Sequence, residues 1–585
     1  MKCPKCQAEN QSDSAFCEEC GAPLEAACPG CGAGNRPTAK FCRKCRAPLS
    51  VTPAAAPTPR AHTPKHLADK ILQSKSALEG ERKQVTVLFA DVKGSMELAE
   101  QLDPEEWSQI MNRFFQILSD GVERFEGFVD KFTGDGIMAL FGAPIAHEDH
   151  AQRACYAALH LRDEIARYAT ELKREHGVGF STRIGINSGE VIVGKIGDDL
   201  RMDYTAQGHT VGLAQRMEAL AEPNSCYLSA ATAALVRGYF SLDDLGEFRV
   251  KGVAAPLRIH RLAGVGASRT RFDISRARGL SRFVGRAADL RTLEDALQQT
   301  GAGNGQVVGV VAEAGTGKSR LCFEFLERCR ARGMHVYEGR AVAHGRNIPF
   351  LPILELFRAY FGITLEDDDR SAREKIAGRM VLLDQSFAEA LPLLFDFLGV
   401  SDPQRPAPPL DPDARQRQLI GVIRQVIHSV SEEQPTVTMV EDLHWLDAAS
   451  GEFLEHMVDA RAGSRNLLLL NFRPEYRADW MQKSWYRQIP LTPLGREAIA
   501  ELLGDLLGND PSIAGLAGPI HARTGGNPFF TEEVAQSLIE SGHLEGARRA
   551  YRLVTPVERL EVPATVQAVL AARIDRLAER EKRLL

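Results

Sequence analysis

The spacing of apolar residues changes character several times along the chain. The first 50 residues carry no sustained apolar run; small and polar residues separate regularly placed cysteines. From Ser50 to Pro64 proline and alanine dominate with no apolar period, which predicts a semi-rigid extended linker. His66–Leu78 then places apolar residues at helical spacing, predicting a short amphipathic helix. Domain boundaries of 1–49 and 50–80 follow for these two pieces.

A third pattern runs over residues 81–264. Val85–Ala90 (VTVLFA) reads as a buried strand ending at Asp91. Asp103, Pro104 and Glu106 predict a helix start with a reciprocal capping box, and Trp107, Ile110, Met111, Phe114, Leu118 and Val122 follow at helical spacing. Gly127–Phe132 and Ile137–Phe141 flank a Thr133-Gly134-Asp135-Gly136 turn and predict a hairpin. A long helix is expected over His150–Glu175. Two strands, Ser181–Asn187 and Glu190–Lys195, come next, followed by a helix over Thr210–Leu220 and a final strand pair. This order, β-α-β-β-α-β with extensions, is a ferredoxin-like α+β plan.

Beyond a polar, arginine-rich linker at 265–280, short apolar strands alternate with helical stretches from 281 to 585. Val307–Val311 runs into AEAGTGKS, whose glycines let backbone amides and a helix start cradle phosphates. Lys318 is placed to reach the β- and γ-phosphates and Ser319 to ligate Mg²⁺, with Gly315 and Gly317 shaping the loop; Ala312 stands where the motif's first glycine usually sits. Val437–Val440 ends in Glu441 and Asp442, acidic residues at a strand end that can ligate metal and polarise water. Leu467–Leu470 leads to Asn471 and to Arg473, a sensor arginine candidate. The expected fold is a parallel P-loop α/β sheet with a helical or winged-helix lid.

Composition narrows the class. With 585 residues there is room for about four domains of ~150 residues. Apolar content of 44% and charged content of 25% are globular values. The net charge of −6 argues against an electrostatic grip on nucleic acid or membrane. No apolar run reaches the ~18 residues that a membrane span needs, and MKCPKCQAEN has no signal-peptide core, so a cytoplasmic protein is expected.

Eight of the 12 cysteines fall within the first 45 residues. Cys3, Cys6, Cys17 and Cys20 recur 25 residues on as Cys28, Cys31, Cys42 and Cys45, and Pro23-Leu24 recur as Pro48-Leu49. Each copy supplies two C-x-x-C knuckles, enough for one tetrahedral Zn²⁺ whose binding supplies the folding energy of so short a unit; redox thiols and disulfides are the other readings. Residues 1–49 resemble a double zinc ribbon, which implies two Zn²⁺ and a docking role toward an unidentified protein partner.

Four motifs in the central segment identify a second resemblance: FADVKGS (Phe89–Ser95), KFTGDGIMALFG (Lys131–Gly142), RIGINSGEVIVGKIG (Arg183–Gly197) and AQRMEALAEP (Ala214–Pro223). Together they resemble the class III adenylyl and guanylyl cyclases, in the branch of the soluble, bicarbonate-responsive enzymes. The resemblance implies that Asp91 and Asp135 hold two Mg²⁺ or Mn²⁺ ions and that the Val92–Ser95 backbone contacts phosphates. Arg216 would stabilise transition-state charge, and Lys251 would bind the triphosphate. Lys131 and Thr205 match the adenine-reading pair, which makes ATP the substrate and cyclic AMP the product. It also implies a homodimer, with Asp91 and Asp135 from one subunit meeting Lys131, Thr205 and Arg216 of the other. Two positions depart from the pattern: Gly212 stands where the family has asparagine, and His209 follows Gly208 where the family has aspartate. Loss of such a polar contact costs ~10²–10³ in rate by analogy with an oxyanion donor. A degenerate domain that only binds nucleotide is therefore the alternative.

Residues 281–585, with Gly526-Asn527-Pro528 as a G-x-P signature, resemble a STAND/AAA-type ATPase, which implies Mg²⁺-ATP at the P-loop and a slow switch. The sequence stops at EKRLL inside a predicted helix, which reads as a short form or a fragment. Cys155, Cys226, Cys322 and Cys329 read as packed thiols, His147 and His150 as surface residues, and Trp445 as core.

Overall fold

A computed structural model describes residues 81–196, 203–250 and 255–554, apart from 267, 269, 343–344, 346–348, 365 and 462, together with the pieces 26–27, 34–35, 44–45 and 566–567. The chain forms two compact units, Met1–Ala68 and Asp69–Leu585. In the first unit Ala26–Ala27 pairs antiparallel with Gly34–Asn35, and Cys45 is exposed in a turn. The other seven expected zinc ligands, the 50–80 segment and Lys251 lie outside the described residues, as do the side chain of Thr205 and most of the chain beyond 554.

The second unit opens with strand β1 (Glu81–Val92), helices α1 (Ser95–Gln101) and α2 (Pro104–Arg124), and hairpin β2 (Phe128–Phe132) and β3 (Gly136–Phe141). Helix α3 (His150–Glu175), β4 (Thr182–Ile196), β5 (Asp203–Gln207) and α4 (His209–Leu220) follow. Strand β6 (Ser225–Ser229), α5 (Ala230–Val236), β7 (Phe240–Phe248) and β8 (Leu257–Val265) complete the domain. The sheet order is β2-β3-β1-β4-β6-β8-β7, with β5 on β4. Alternation along β1 sorts its faces. Leu88, Ala90 and Val92 join a core with Phe114 and Leu118 of α2 and Ala154 and Leu161 of α3, while Val85, Val87 and Phe89 pack with Ala214 of α4 on the other face.

Three local expectations change. Asp103 does cap α2, but its carboxylate accepts from the Glu105 amide at 3.0 Å, one residue earlier than the reciprocal box requires. The two strands expected over 181–195 are one: β4 pairs with β1 without interruption from Val193↔Glu81 to Thr182↔Val92. Ser188-Gly189 continues the strand because Ser188 bonds Thr86 of β1 at 2.7 Å, and a Cβ on Gly189 would sit 2.8 Å from Thr210. His150 is not a surface residue. It is 3% exposed, and its Nδ1 hydrogen-bonds Thr86 Oγ1 at 2.7 Å.

The segment read as linker contains helix α6 (Arg271–Arg278), with a capping box between Thr270 and Asp273. Beyond it come α7 (Ala287–Gly301), β9 (Gln306–Val311), α8 (Lys318–Ala331), β10 (His335–Arg340) and α9 (Leu351–Phe361). Helices α10 (Asp369–Leu383), α11 (Leu391–Phe397) and α12 (Pro412–Glu433) precede β11 (Thr436–Glu441), α13 (Ala448–Asp459), β12 (Asn466–Phe472) and β13 (Tyr486–Pro490). The five strands are all parallel in the order β10-β11-β12-β9-β13. Strands β11 and β12 are buried along their whole length, as central parallel strands covered on both faces should be. Helices α14 (Arg496–Leu507), α15 (Ala517–Thr524) and α16 (Pro528–Glu540) and hairpin β14 (Leu544–Ala547) and β15 (Ala550–Leu553) share a separate core around Leu502, Ile520 and Val534. Among the described residues no helix is long and apolar enough to cross a membrane.

Candidate functional site

The antiparallel ladder between β1 and β3 ends where Asp91 faces Gly136. A Cβ on Gly136 would lie 2.2 Å from the Ala90 carbonyl oxygen, so only glycine lets the hairpin tip close onto β1. This approach brings Asp135, next to Gly136, beside Asp91, and the Val92 amide donates to the Asp135 carbonyl at 3.2 Å. Ser95 Oγ donates to the Asp135 carboxylate. Burial, then the neighbouring Asp135 carboxyl, pushes Asp91 up to about 7.

Sequence reasoning missed two members of this cluster. Arg183 of β4 lies 3.6 Å from Asp91 and 2.9 Å from Glu218 of α4. A Cβ on Gly185 would lie 1.9 Å from the Glu218 backbone nitrogen, so α4 rests directly on β4 there. The signal was present in the Arg183–Gly197 and Ala214–Pro223 motifs, which contain these residues without marking them as charge partners. Three carboxyls cluster here with one guanidinium, which pairs with Asp91 and Glu218, an excess of negative charge that burial penalises and that a divalent cation would neutralise. The donor set, hard oxygens at a strand end and a hairpin tip, fits Mg²⁺ or Mn²⁺. Among the described residues no group of three or more His, Cys, Asp or Glu has cation-holding geometry.

The other expected cyclase residues stand on neighbouring elements. Lys131 lies on β2 of the same hairpin, half-exposed, with Nζ 3.2 Å from Asp130. Thr205 is on β5, paired with Gly194 of β4. Arg216 is on α4, where Nη1 donates to the Gly212 carbonyl at 2.7 Å. A Cβ on Gly212 would lie 2.9 Å from that Nη1, so the guanidinium folds back over the glycine.

The second constellation surrounds the P-loop. Gly315 and Gly317 have φ of +78° and +103°, which side-chain-bearing residues avoid. Lys318 is buried and donates to the Ala312 and Glu313 carbonyls at 2.8 and 3.2 Å; burial lowers its pKa. Ser319 follows at the start of α8. Glu441 ends β11, held by Arg340 Nε at 2.7 Å. Asp442 adopts φ +57°, and its amide donates to Asn471 Oδ1 at 2.7 Å while Asn471 Nδ2 donates to Glu441 at 3.2 Å. Asn527 caps α16 and donates to the Ala314 carbonyl at 3.0 Å, so the Gly526-Asn527-Pro528 turn is a wall of the P-loop. Arg473 is buried, with its guanidinium on the Glu148 carboxylate of the cyclase domain. Trp445, expected in the core, is half-buried with Arg153 and Arg473 each 5.7 Å from its ring centre. Cys155, Cys226, Cys322 and Cys329 are buried, as expected of packed thiols.

Fold and site together define a nucleotide cyclase domain joined to a P-loop ATPase domain. Residues 79–264 match the family described as the adenylate and guanylate cyclase catalytic domain, residues 282–470 the AAA ATPase domain, and residues 3–46 the double zinc ribbon. An uncharacterized protein of Rhizobium meliloti (strain 1021) is 26% identical over 505 residues, 82% of this chain and 46% of its own. Adenylate cyclase 1 of the same organism is 30% identical over 208 residues, 35% of this chain and 31% of its own. The chain thus spans less than half the length of either curated relative. Among solved structures, the adenylyl cyclase CyaB from P. aeruginosa is 31% identical, with 33% of this chain and 100% of that chain covered and a TM-score of 0.31. The guanylyl cyclase Cya2 is 31% identical over 32% of this chain and 95% of its own, with a TM-score of 0.31. The chain thus carries, in order, a double zinc ribbon, a class III adenylate/guanylate cyclase catalytic domain and an AAA ATPase domain.

Proposed function

We propose that the chain is an adenylate cyclase that forms cyclic AMP and pyrophosphate from ATP as a homodimer, under the control of its own ATP-binding STAND-type domain. The convergence of Asp91 and Asp135 carries this reading. These two residues would hold two Mg²⁺ or Mn²⁺ ions, which when bound activate the ribose 3′-hydroxyl and neutralise the triphosphate. Arg183 of β4, itself paired with Glu218 of α4, braces Asp91. Lys131 and Thr205 would read the adenine edge, Lys251 would grip the triphosphate, and Arg216 would donate to the α-phosphate as its charge grows. One Rhizobium meliloti relative is named adenylate cyclase 1, which supports the choice of ATP. At the second site Gly315, Gly317, Lys318, Ser319, Glu441, Asp442 and Arg473 would bind Mg²⁺-ATP and turn it over slowly. The eight cysteines from Cys3 to Cys45 would hold two Zn²⁺ in a protein-docking module over residues 1–49.

A second reading, a domain that binds nucleotide without cyclising it, is favoured by the Arg216 guanidinium lying over Gly212. Purified protein assayed with Mn²⁺ and either ATP or GTP separates the two. Cyclic AMP formed from ATP, lost in Asp91→Ala and Asp135→Ala, supports the enzyme; wild type and Asp91→Ala equally inactive would support binding alone. Cyclic GMP formed faster than cyclic AMP would overturn the assignment of substrate.

A further inference from the structure

Glu148 lies in the turn that precedes α3, in the cyclase domain, yet its carboxylate pairs with Arg473, 325 residues away at the end of β12. The two side chains are only 12% and 9% exposed. Burial alone would raise the Glu148 pKa, but Arg473 and then Arg271 overcome it and hold the carboxyl below its ordinary range. Both Glu148 and Arg473 line a cavity of about 530 Å³ that also contains Lys318, Asp442 and the P-loop glycines. Arg271 of α6 reaches the same space, its guanidinium 4.9 Å from the Phe529 ring centre. The cavity that would take the phosphates of a nucleotide therefore already holds a carboxylate from another domain, seated on one of the guanidinium groups that line it.

We propose that Glu148 is an intramolecular ligand of the ATPase site, competing with the terminal phosphate of a nucleoside triphosphate for Arg473. This rests on the reading of the P-loop site as an ATP site. Glu148 accepts from Arg473 Nη2, so a terminal phosphate approaching that edge of the guanidinium would compete for the same donor and meet the charge of the carboxylate. Nucleotide binding then displaces Glu148 and frees the start of α3. The neighbouring residues tie that start into the cyclase core. Asp149 bonds Arg153 at 2.8 Å, and His150 opens a buried chain through Thr86 (2.7 Å), Ser188 (2.7 Å), Thr232 (3.0 Å), Ser229 (3.3 Å) and Asn187 (2.6 Å). The chain ends where Asn187 donates to the Thr210 carbonyl at 2.9 Å, in the first turn of α4. Helix α4 also carries Arg216 and Glu218. A nucleotide diphosphate lacks the competing phosphate and would leave Glu148 seated.

The test is calorimetric titration of the full chain with Mg²⁺ and 3′-deoxy-ATP, which has no hydroxyl to cyclise, taking as the P-loop signal the component that Lys318→Ala removes. If Glu148 occupies Arg473 in ~90% of molecules, Glu148→Gln tightens 3′-deoxy-ATP by about tenfold. The expected change for 3′-deoxy-ADP is less than about twofold, and Arg473→Ala abolishes the gain from Glu148→Gln, as a double-mutant cycle requires of a direct pair. Glu148→Ala, checked for folding by circular dichroism, should reproduce the tightening. An unchanged or weakened 3′-deoxy-ATP affinity in both Glu148 variants overturns the proposal alone. Equal tightening of di- and triphosphate also overturns it, because Glu148 would then block the cavity without competing for the terminal phosphate. Absence of any Lys318-dependent binding in the parent chain overturns both the proposal and the reading of the P-loop.

Discussion

Gly185 of β4 and Glu218 of α4 touch backbone to backbone: a Cβ on the glycine would lie 1.9 Å from the Glu218 nitrogen and 2.5 Å from the Ala214 carbonyl oxygen. No rotamer change relieves such a contact, because the opposing atoms are main chain. Gly185→Ala therefore lifts α4 from the sheet. The expected cost is about 1–3 kcal/mol, typical of overpacking, together with loss of cyclase activity because Arg216 and Glu218 ride on that helix. Thermal unfolding and a cyclic AMP assay of the variant check both parts. A variant with wild-type stability and turnover would mean that α4 does not need this seat.

Arg216 bends back to the Gly212 carbonyl, where no side chain opposes it. Gly212→Asn places a Cβ 2.9 Å from Nη1 and drives the guanidinium off its own helix. It also restores the polar side chain that the cyclase family carries there. The expected outcome is a rise of ~10–10² in kcat with little change in KM, the signature of an interaction made in the transition state. Steady-state kinetics with Mn²⁺-ATP decide it; a lower kcat would show that Arg216 works from its folded-back position.

His150 supplies a pH dependence with a definite sign. Burial, opposed by Asp149, pushes its pKa down to about 4, against ~6.5 in an unfolded chain. A group whose folded pKa is depressed contributes its full stability above the unfolded value and loses it as pH falls toward the folded one. Stability of the cyclase domain should therefore fall from pH 6.5 to 4, at ~1.4 kcal/mol per unit from this residue. His150→Gln lacks this component, so its unfolding midpoint should vary less across that window. Parallel slopes in the two proteins would remove His150 as the cause.

Arg461, just after α13, is fully buried, and among the described residues none of its three side-chain nitrogens has a hydrogen-bond partner. Burial pushes its pKa down to about 9. A buried charge without a partner costs several kcal/mol, so an apolar residue of similar length should be preferred. Arg461→Met is expected to stabilise the ATPase domain by about 1–4 kcal/mol, read as an increase in its denaturation midpoint. A decrease would show that the guanidinium is satisfied in solution.

Much of the scaffold was legible from the order of residues, and for a local reason. Alternation in β1, the 3.6-residue period of α2, the tight turn before Gly136 and the glycines of the P-loop are all written in short stretches. So was the position of Asp91 at a strand end and of Asp135 at a hairpin tip, because strand and turn are short-range structures. What the stretches did not contain was contact between distant segments. The interval Ser188-Gly189 looks like a turn until Thr86 and Thr210 are packed against it, and His150 looks polar and exposed until α3 lies on β1. Arg183 and Glu218 became members of the Asp91 cluster only because Gly185 admits α4 to within main-chain contact. The pairing of Glu148 with Arg473 depends on how the cyclase domain, α6 and the parallel sheet pack together. Local spacing determined the elements and the motif residues at their ends. Burial and close backbone approach, which only the tertiary structure supplies, decided which of those residues share a site.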